Sequence, residues 1–361
     1  MQMRVGIAYY EKKNYSLAEG YFKKALKFNS TDDLALEYLY YCYFFTGKIQ
    51  EARILSTTFN TLLKQKIGIN NQSAIQTIFV EGGTKISDSA SYYDASKKTN
   101  SNYFNSPVYF QIGLNHYIKN KISLVHVFTY FNQQTFLGSI KQPQYYLKAT
   151  FALKNNWQIS PSFHWVNIKS TKDVMFQPPN NNMGNSPPRP QSNNNTNTTI
   201  SNYFVGSLSI QKNIKKITLG VGSLISNINN VTQYIHNGFV SYSVFGNSKL
   251  VVGCTGYLHT TDNYLTTYTS FAPFIYLQPI TRLSIKVAYL YNSKNNILED
   301  NGYIINNSPD LTNYRYSGLI NCIITKHIAI YGLYQLEFKQ EKVQLFNYRY
   351  NVLVGGIKIT P

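Results

Sequence analysis

Side chains able to do covalent chemistry are few in this sequence. His164 shares one face of an alternating segment with Ser160 and Ser162, which is part of what a serine hydrolase needs. Such an enzyme also needs an acid or amide to orient the histidine, and no carboxylate lies beside these residues in the sequence. The G-x-S-x-G motif of strand-to-turn nucleophiles does not occur. We therefore expect no catalytic residues, and an enzyme acting on lipid or glycan is the weaker alternative.

The histidines and cysteines do not show the spacing of a metal site. The six histidines are scattered, and Cys42, Cys254 and Cys322 are too far apart in sequence for a zinc motif or a disulfide framework. We expect no metal and no cofactor. The cysteines are interpreted as small apolar residues.

Charged residues in alternating segments are the better candidates for a function. If the turn at 325–327 centres a hairpin on Lys326, Glu337 lies opposite Arg315, which predicts an inward-facing ion pair. The alternative is that Glu337 only offsets buried positive charge in the wall of the fold. Four further basic residues are predicted to share this polar interior with His164: Arg282, Lys286, Lys148 and Arg349. Because few acids oppose them, the interior should favour anions.

Composition restricts the kind of protein that could hold these residues. Charged residues make up 14% of the 361 residues, whereas aromatic residues reach 15%. Soluble domains usually have about 25% charged residues, and disordered chains lack aromatics. The mean hydropathy is −0.27. Together these values favour a β-barrel with one face in lipid and the other in water.

The net charge of +18 does not indicate a nucleic-acid-binding protein. Lysines and arginines are spread along the chain instead of forming the basic stripe of a nucleic-acid-binding surface. Acidic glycans, lipopolysaccharide head groups or small anions are the partners that we expect instead.

From residue 74 to residue 361 the hydrophobic pattern has a period of two. In one segment Leu283, Ile285 and Val287 alternate with Ser284 and Lys286, as in a strand between lipid and water. The pattern predicts 14 strands, centred near Ile78, Ile112, Val127, Thr150, Phe163, Leu208, Val221, Val240, Cys254, Phe271, Val287, Leu319, Tyr331 and Val352.

The connections between these strands separate a membrane barrel from a soluble sandwich. Those after odd strands are predicted to be long, at 84–104, 133–142, 168–201 and 292–311, whereas those after even strands are tight. Outer-membrane barrels have this asymmetry, with long extracellular loops and short periplasmic turns. The sequence therefore predicts an antiparallel transmembrane barrel. Its longest extracellular loop would be 168–201, where Pro- and Asn-rich residues 177–199 indicate a surface loop.

Residues 1–63 have helical periodicity instead. Gly6, Tyr9, Ala18, Phe22 and Ala25 follow the spacing G-x2-Y-x8-A-x3-F-x2-A. The positions 34 residues after Tyr9 and Ala18 are Tyr43 and Ala52, which resembles the period of the tetratricopeptide repeat. A generic helical hairpin is the alternative. The resemblance implies a short all-α module that docks a protein partner.

Location follows from this domain order. An even number of strands places both barrel ends, and so the helical module, in the periplasm. Residues 1–10 resemble the middle of a helix and not a signal peptide, so we expect an export leader upstream.

Tetratricopeptide repeats before a C-terminal barrel resemble the YaiO-like outer-membrane barrel family, and in domain order also the exopolysaccharide exporters. That resemblance implies polysaccharide export. We expect a conduit or binding site for a glycan or small anions. The alternative is a barrel that transports nothing and anchors the repeats at the membrane.

Overall fold

A computed structural model describes residues 1–69, 73–87, 107–135, 138–173, 196–261, 266–294, 297–306, 311–340 and 347–361. Five helices form the N-terminal part of the chain, and the remaining described residues form mainly strands. The helices are α1 (Gln2–Glu11), α2 (Tyr15–Phe28), α3 (Asp33–Phe45), α4 (Ile49–Ser56) and α5 (Thr61–Ile67). Helix α5 continues beyond the predicted end of the module at residue 63.

Local capping explains where these helices begin and end. The Asp32 side chain accepts hydrogen bonds from Leu34 N (3.0 Å) and Ala35 N (3.1 Å), which satisfies free N–H groups at the start of α3. Helix α5 ends at Gly68, whose φ of 77° lies in the left-handed region that glycine tolerates.

The residues predicted to pack the helical module lie together. Ala18, Phe22, Tyr43 and Ala52 belong to one buried cluster. A Cβ added to Gly6 would lie 2.7 Å from the Phe22 ring, so α1 and α2 approach more closely than any larger residue would allow. Tyr9 stacks on Tyr21, and Ala25 is partly buried. The helical module is confirmed, whereas its assignment as a tetratricopeptide repeat stays a prediction.

The strands form a closed antiparallel barrel and one small hairpin. The 14 barrel strands include all those predicted, and consecutive members pair around the ring until β16 meets β1. They are β1 (Ile75–Ser87), β2 (Val108–Ile118), β3 (Ile122–Thr135), β4 (Gly138–Ala152), β5 (Trp157–Asp173), β6 (Thr196–Ile214), β7 (Ile217–Ser226), β8 (Gln233–Ser243), β9 (Leu250–Thr261), β10 (Thr266–Ile280), β11 (Leu283–Lys294), β14 (Leu311–Ile323), β15 (Ile328–Gln340) and β16 (Asn347–Ile359). Strands β12 (Ile297–Glu299) and β13 (Ile304–Asn306) pair separately.

Tight connections after even strands, as after β2, β4 and β6, define one end of the barrel, which we call the turn end. The opposite end is called the loop end. The long connection predicted at 133–142 was wrong, because β3 and β4 stay paired as far as Thr135 and Gly138. The polar residues at the ends of β3 and β4 keep their backbone hydrogen bonds by pairing with each other. Strands β5 and β6 also extend into the predicted loop 168–201, whose residues 174–195 lie outside the described chain.

The two faces of the barrel wall differ as a membrane requires. Outward positions are apolar and exposed, including Ile112 (43%), Val221 (63%), Ile275 (54%), Val287 (56%) and Ile320 (52%). The residues that alternate with them, such as Gln111 and Lys286, point inward. A closed, even-stranded barrel with such an apolar belt has the architecture of bacterial outer-membrane proteins. Among the described residues, no helix is both long and apolar enough to span a membrane.

Candidate functional site: a lumen crossed by a hairpin

A short hairpin between β11 and β14 folds into the barrel from the loop end. We call residues 297–306 the lumen hairpin. Its strands pair through Leu298 and Ile305, and Asp300, Asn301 and Gly302 make the turn with φ values of 49°, 58° and 78°. Asn and Gly are the residues that adopt this left-handed backbone most easily. Leu298 is 1% exposed, so the hairpin is enclosed by the barrel wall.

The tip of the lumen hairpin is bound through its backbone carbonyls. Ser162 Oγ on β5 and Ser207 Oγ on β6 donate to Asn301 O over 2.7 and 3.1 Å. His164 Nδ1 donates to Gly302 O over 2.7 Å. These residues occupy inward positions near the middle of their strands, so the tip reaches far down the lumen.

An apolar cluster packs beneath the same tip. Val205 and Leu224 are 1% and 3% exposed. A Cβ added to Gly302 would lie 2.9 Å from Val205 Cγ1, so only glycine fits this contact without displacement. The cluster continues through Val166, Tyr203, Ile228, Ile235, Tyr257 and Leu298.

A buried ion pair holds the lumen hairpin to the wall beside its turn. Arg315 Nη2 on β14 donates to Glu299 Oε2 over 2.7 Å, and the two side chains are 7% and 9% exposed. Glu299 Oε1 and Arg315 Nε have no hydrogen-bond partner among the described residues. An ion pair that is enclosed but only partly satisfied gives little net stability.

The predicted register of Arg315 and Glu337 is confirmed, since the two are cross-strand partners. The predicted contact differs, however. Glu337 Oε2 lies 3.2 Å from Lys85 Nζ and 3.8 Å from Lys339 Nζ, while Arg315 forms its short ion pair with the lumen hairpin. The sequence could not show this partner, because nothing local indicates that Glu299 lies inside the barrel.

Tyr303 extends the hairpin to the far side of the lumen. Its ring lies 5.1 Å from the Tyr146 ring, and its hydroxyl forms a hydrogen bond with Gln111 Nε2 on β2. Gln111 Nε2 also donates to Glu81 Oε1 over 3.0 Å, and Tyr331 donates to the same carboxylate. The hairpin therefore contacts the wall at β2, β4, β5, β6, β7 and β14.

The remaining predicted lumen residues do not all lie in the lumen. Lys148 and Lys286 point inward, and Lys286 Nζ lies 4.9 Å from the Phe274 ring centroid. Arg282 lies in the exposed turn before β11. The assignment of Arg349 to the lumen was wrong. Its neighbours Tyr348 and Tyr350 point inward, so the two-residue period turns Arg349 outward, opposite Phe338.

The position of His164 does not support hydrolysis. Its Nδ1 is bonded to a backbone carbonyl, and its Nε2 is buried without a partner in the described chain. The nearby Ser162 hydroxyl donates to Asn301 O. Within the described residues there is also no group of three or more His, Cys, Asp and Glu able to hold a metal ion.

The helical module lies across the turn end of the barrel. Gly246 and Ser248 lie in the β8–β9 turn. Ser16 N and Oγ donate to Gly246 O over 2.9 and 3.0 Å, and Ser248 N donates to Phe45 O over 3.2 Å. Gln50 Nε2 donates to Lys121 O and Thr150 O over 2.6 and 3.0 Å. Contacts to two separate turns and to the end of β4 seat the module against the mouth of the barrel.

Glu19 is a buried carboxylate in this interface. Its carboxylate accepts from Lys23 and Lys48, each over 2.6 Å, and from Asn156 Nδ2 in the β4–β5 turn over 3.2 Å. Burial alone would raise the pKa of Glu19, but the two ammonium groups outweigh that effect and hold the pKa below its ordinary value. The carboxylate is therefore ionised where it contacts the barrel.

Solved barrel structures resemble this chain in fold. A Pseudomonas aeruginosa FadL homologue has a TM-score of 0.48 at 9% identity, covering 79% of this chain and 90% of its own. The CymD monoaromatic hydrocarbon channel has a TM-score of 0.48 at 8% identity, covering 84% and 94%. The Pseudomonas putida toluene transporter TodX has a TM-score of 0.48 at 7% identity, covering 80% and 89%. At these identities the likeness concerns the fold alone. No protein-family model matches the sequence, and a search of curated proteins finds no relative.

Proposed function

We propose that this protein is a gated conduit of the outer membrane for small anions or a glycan, and that the lumen hairpin is its gate. The observation that carries the proposal is the way the hairpin is held. It crosses the lumen and is held there by hydrogen bonds to two of its backbone carbonyls, one ion pair and an apolar contact at a glycine. It is a loop of the barrel itself and needs no separate plug domain.

The barrel is wide enough for a conduit. Strands ~4.8 Å apart and tilted by ~40° give 14 strands a backbone radius of ~14 Å. Barrels of about eight strands are filled by their own side chains, whereas those of about 16 strands leave a water channel. Among the described residues a hairpin of ten residues crosses this space, and in the proposed function its displacement widens the path through the lumen.

Water can replace the polar contacts that hold the lumen hairpin to the wall. Water can replace the Ser162, Ser207 and His164 donors at the tip carbonyls, and each such hydrogen bond contributes only ~1 kcal/mol net. Beside the turn, the unsatisfied polar atoms of Glu299 and Arg315 favour hydration. These features support a closed state that opens without unfolding the barrel.

Charge in the lumen favours anions. Basic side chains outnumber acidic ones at the described inward positions and on the hairpin: Lys85, Lys148, Lys286, Arg315, Lys339 and Lys358 stand against Glu81, Glu299, Asp300 and Glu337. A lumen with this balance concentrates anions and repels cations. Polar groups and tyrosine rings in the same space, such as Gln111 and Tyr331, suit a glycan.

The helical module is proposed to lie in the periplasm and to bind a protein partner there. Its seating at the turn end agrees with periplasmic turns in outer-membrane barrels. Phe28 and Leu62 are 87% and 76% exposed on the module and are available for contact with such a partner. Because the module lies across the mouth, a bound partner could control access to the lumen.

A permanently closed anchor is the second candidate. The apolar cluster that encloses Leu298 favours it, because burying such side chains stabilises the inserted hairpin. In that case nothing crosses the barrel, and the helical module alone performs the function.

A disulfide between the hairpin tip and the wall separates the two candidates. The Cβ of a residue at 302 would lie 3.7 Å from Val205 Cβ, close to the ~3.8 Å of natural disulfides. We would introduce Gly302→Cys and Val205→Cys after replacing Cys42, Cys254 and Cys322 with alanine, and record single-channel currents in planar bilayers. A gate predicts anion-selective openings when reduced, and their loss on oxidation. The cysteine-free parent should not respond to oxidation.

Two results would reject the gated conduit. Insertion without any current, reduced or oxidised, would support the closed anchor. Currents of equal size in the reduced and oxidised protein would show that the path bypasses the hairpin.

A further inference from the structure

A groove of about 620 Å³ lies on the outer wall of the barrel, across β6 to β9. We call it the glycine groove, after Gly238 and Gly256, which are direct cross-strand partners at its floor. Its sides are formed by Ile210, Val221 and Val240. Val221 is 63% exposed and Val240 46%, so these apolar walls face the membrane.

The floor of the groove is open because Gly238 and Gly256 have no side chains to fill it. A Cβ added at Gly256 would meet no atom closer than Gly238 O at 4.0 Å, and one added at Gly238 would meet Gly220 O at 3.9 Å. Larger residues would fit sterically at both positions and would fill the groove. Its shape is thus a consequence of the two glycines.

One end of the groove is basic and lies at the turn end of the barrel. Lys212 Nζ lies 4.6 Å from the centroid of the Trp157 ring, and both residues line the groove. Lys215 follows in the exposed β6–β7 turn, and Lys154 lies in the β4–β5 turn beside Trp157. Glu19, the acid that contacts that turn, is already bonded to Lys23 and Lys48.

We propose that the glycine groove binds an anionic glycerophospholipid of the leaflet at the turn end. One acyl chain lies along Gly238 and Gly256, and the phosphate contacts Lys212, with Lys215 close by. Tryptophan and lysine at the end of an apolar surface mark the level of lipid head groups, and basic clusters at that level attract anionic lipids. The site is independent of the gate proposed above.

Charge also argues against a second copy of this chain as the occupant. Protomers in a membrane share one orientation, so their two-fold axis runs along the membrane normal. Packing two grooves together would therefore bring the Lys212 ends close at equal depth. Like charges would oppose that contact, whereas a phosphate neutralises them.

Trp157 provides the probe for this site. The chain has two tryptophans, so Trp165→Phe leaves Trp157 as the sole tryptophan, at the groove. The detergent-solubilised full chain would be titrated with phosphatidylglycerol or phosphatidylcholine carrying brominated acyl chains, which quench tryptophan on contact. We expect half-maximal quenching at about fivefold less phosphatidylglycerol than phosphatidylcholine.

Two variants and two matched controls test the assignment. Gly256→Val should abolish the saturable quenching by filling the floor, whereas Gly318→Val should not, because Gly318 also has open space but lies on the distant β14. Lys212→Gln should remove the preference for phosphatidylglycerol, whereas Lys326→Gln in the β14–β15 turn should keep it.

Equal quenching by both lipids in the Trp165→Phe protein would overturn the proposal, as would unchanged quenching in Gly256→Val. A dimer in detergent that dissociates in Gly256→Val would assign the groove to a second copy and would also overturn it.

Discussion

Arg315 on the barrel wall and Glu299 on the lumen hairpin form an ion pair of 2.7 Å inside the barrel. Arg315 Nε and Glu299 Oε1 lack partners among the described residues. The pair therefore joins the lumen hairpin, the proposed gate, to the wall without being fully satisfied. It is the contact at which a single substitution should change gating most.

Glu299→Gln should open the conduit. Removing one partner of a buried ion pair costs ~3–5 kcal/mol in a dry interior, and water in the lumen should reduce this to ~1.4 kcal/mol, a factor of ten. We expect the open probability in planar bilayers to rise about tenfold. The double variant Glu299→Gln with Arg315→Met should be less open than Glu299→Gln alone, because it leaves no isolated charge.

Arg349→Met is the matched control for Arg315→Met, since Arg349 points outward. It should leave the open probability unchanged. If Glu299→Gln behaves like the natural protein, the ion pair has no part in gating.

Lys286→Glu should reduce anion selectivity. Lys286 is exposed in the lumen and makes no ion pair within 4.0 Å in the described residues. A change of ~1 kcal/mol in ion energy corresponds to about a fivefold fall in the anion-to-cation permeability ratio. Reversal potentials measured across a salt gradient report this ratio, and the effect should weaken as salt rises. Arg349→Glu on the outer face should have no effect, and an equal shift in both variants would contradict a lumen role for Lys286.

The barrel could be predicted from the sequence because its signal is local. A strand between lipid and water alternates residue by residue, so each of the 14 strands contains its predicted centre. Arg349 was misplaced although the same period was available. Counting by two from Val352 reaches Tyr350 and Tyr348, which leaves Arg349 on the other face.

Most of the candidate site could not be predicted from the sequence. Asp300, Asn301 and Gly302 between short apolar runs do signal a hairpin turn, and this signal lay inside the connection predicted at 292–311. Whether such a hairpin points to solvent or into the lumen depends on contacts between residues distant in sequence. Gly302 and His164 are an example, since they are separated by 138 positions.

Gly302→Ala should also favour the open state. The φ of 78° disfavours any side chain, by ~1–2 kcal/mol, and the new Cβ would lie 2.9 Å from Val205 Cγ1. Displacing the tip relieves both effects, so we expect a severalfold higher open probability. Adding Val205→Ala should restore only part of the closed state, because it removes the clash but not the backbone strain. Gly318→Ala should leave the open probability unchanged, because an added Cβ would meet no atom within 4 Å and the backbone there has no positive φ. A closed channel in Gly302→Ala would mean that the tip does not move.

Glu19→Gln should loosen the helical module from the barrel at neutral pH. Glu19 connects Lys23 and Lys48 to Asn156 of the β4–β5 turn, and its buried carboxylate is the only acid among these four residues. The neutral amide would leave the Lys48 ammonium enclosed without a counter-charge. Hydrogen exchange of α2, followed by mass spectrometry, should be faster at pH 7 in Glu19→Gln than in the natural protein.

The same carboxylate predicts a pH dependence. Lys48 and Lys23 of the same module hold its pKa below the ordinary value of 4.5 in the folded protein, so ionised Glu19 stabilises the folded helical module above that pH. This stabilisation is lost as pH falls from 4.5 through the lower folded pKa. Exchange in α2, corrected for intrinsic rates, should therefore rise below about pH 4.5 in the natural protein, and Glu19→Gln should show no such step. Glu37→Gln, which removes the exposed pair with Lys66, is the matched control and should keep the step. A step of the same size in Glu19→Gln would show that another group controls the stability of α2 in this pH range.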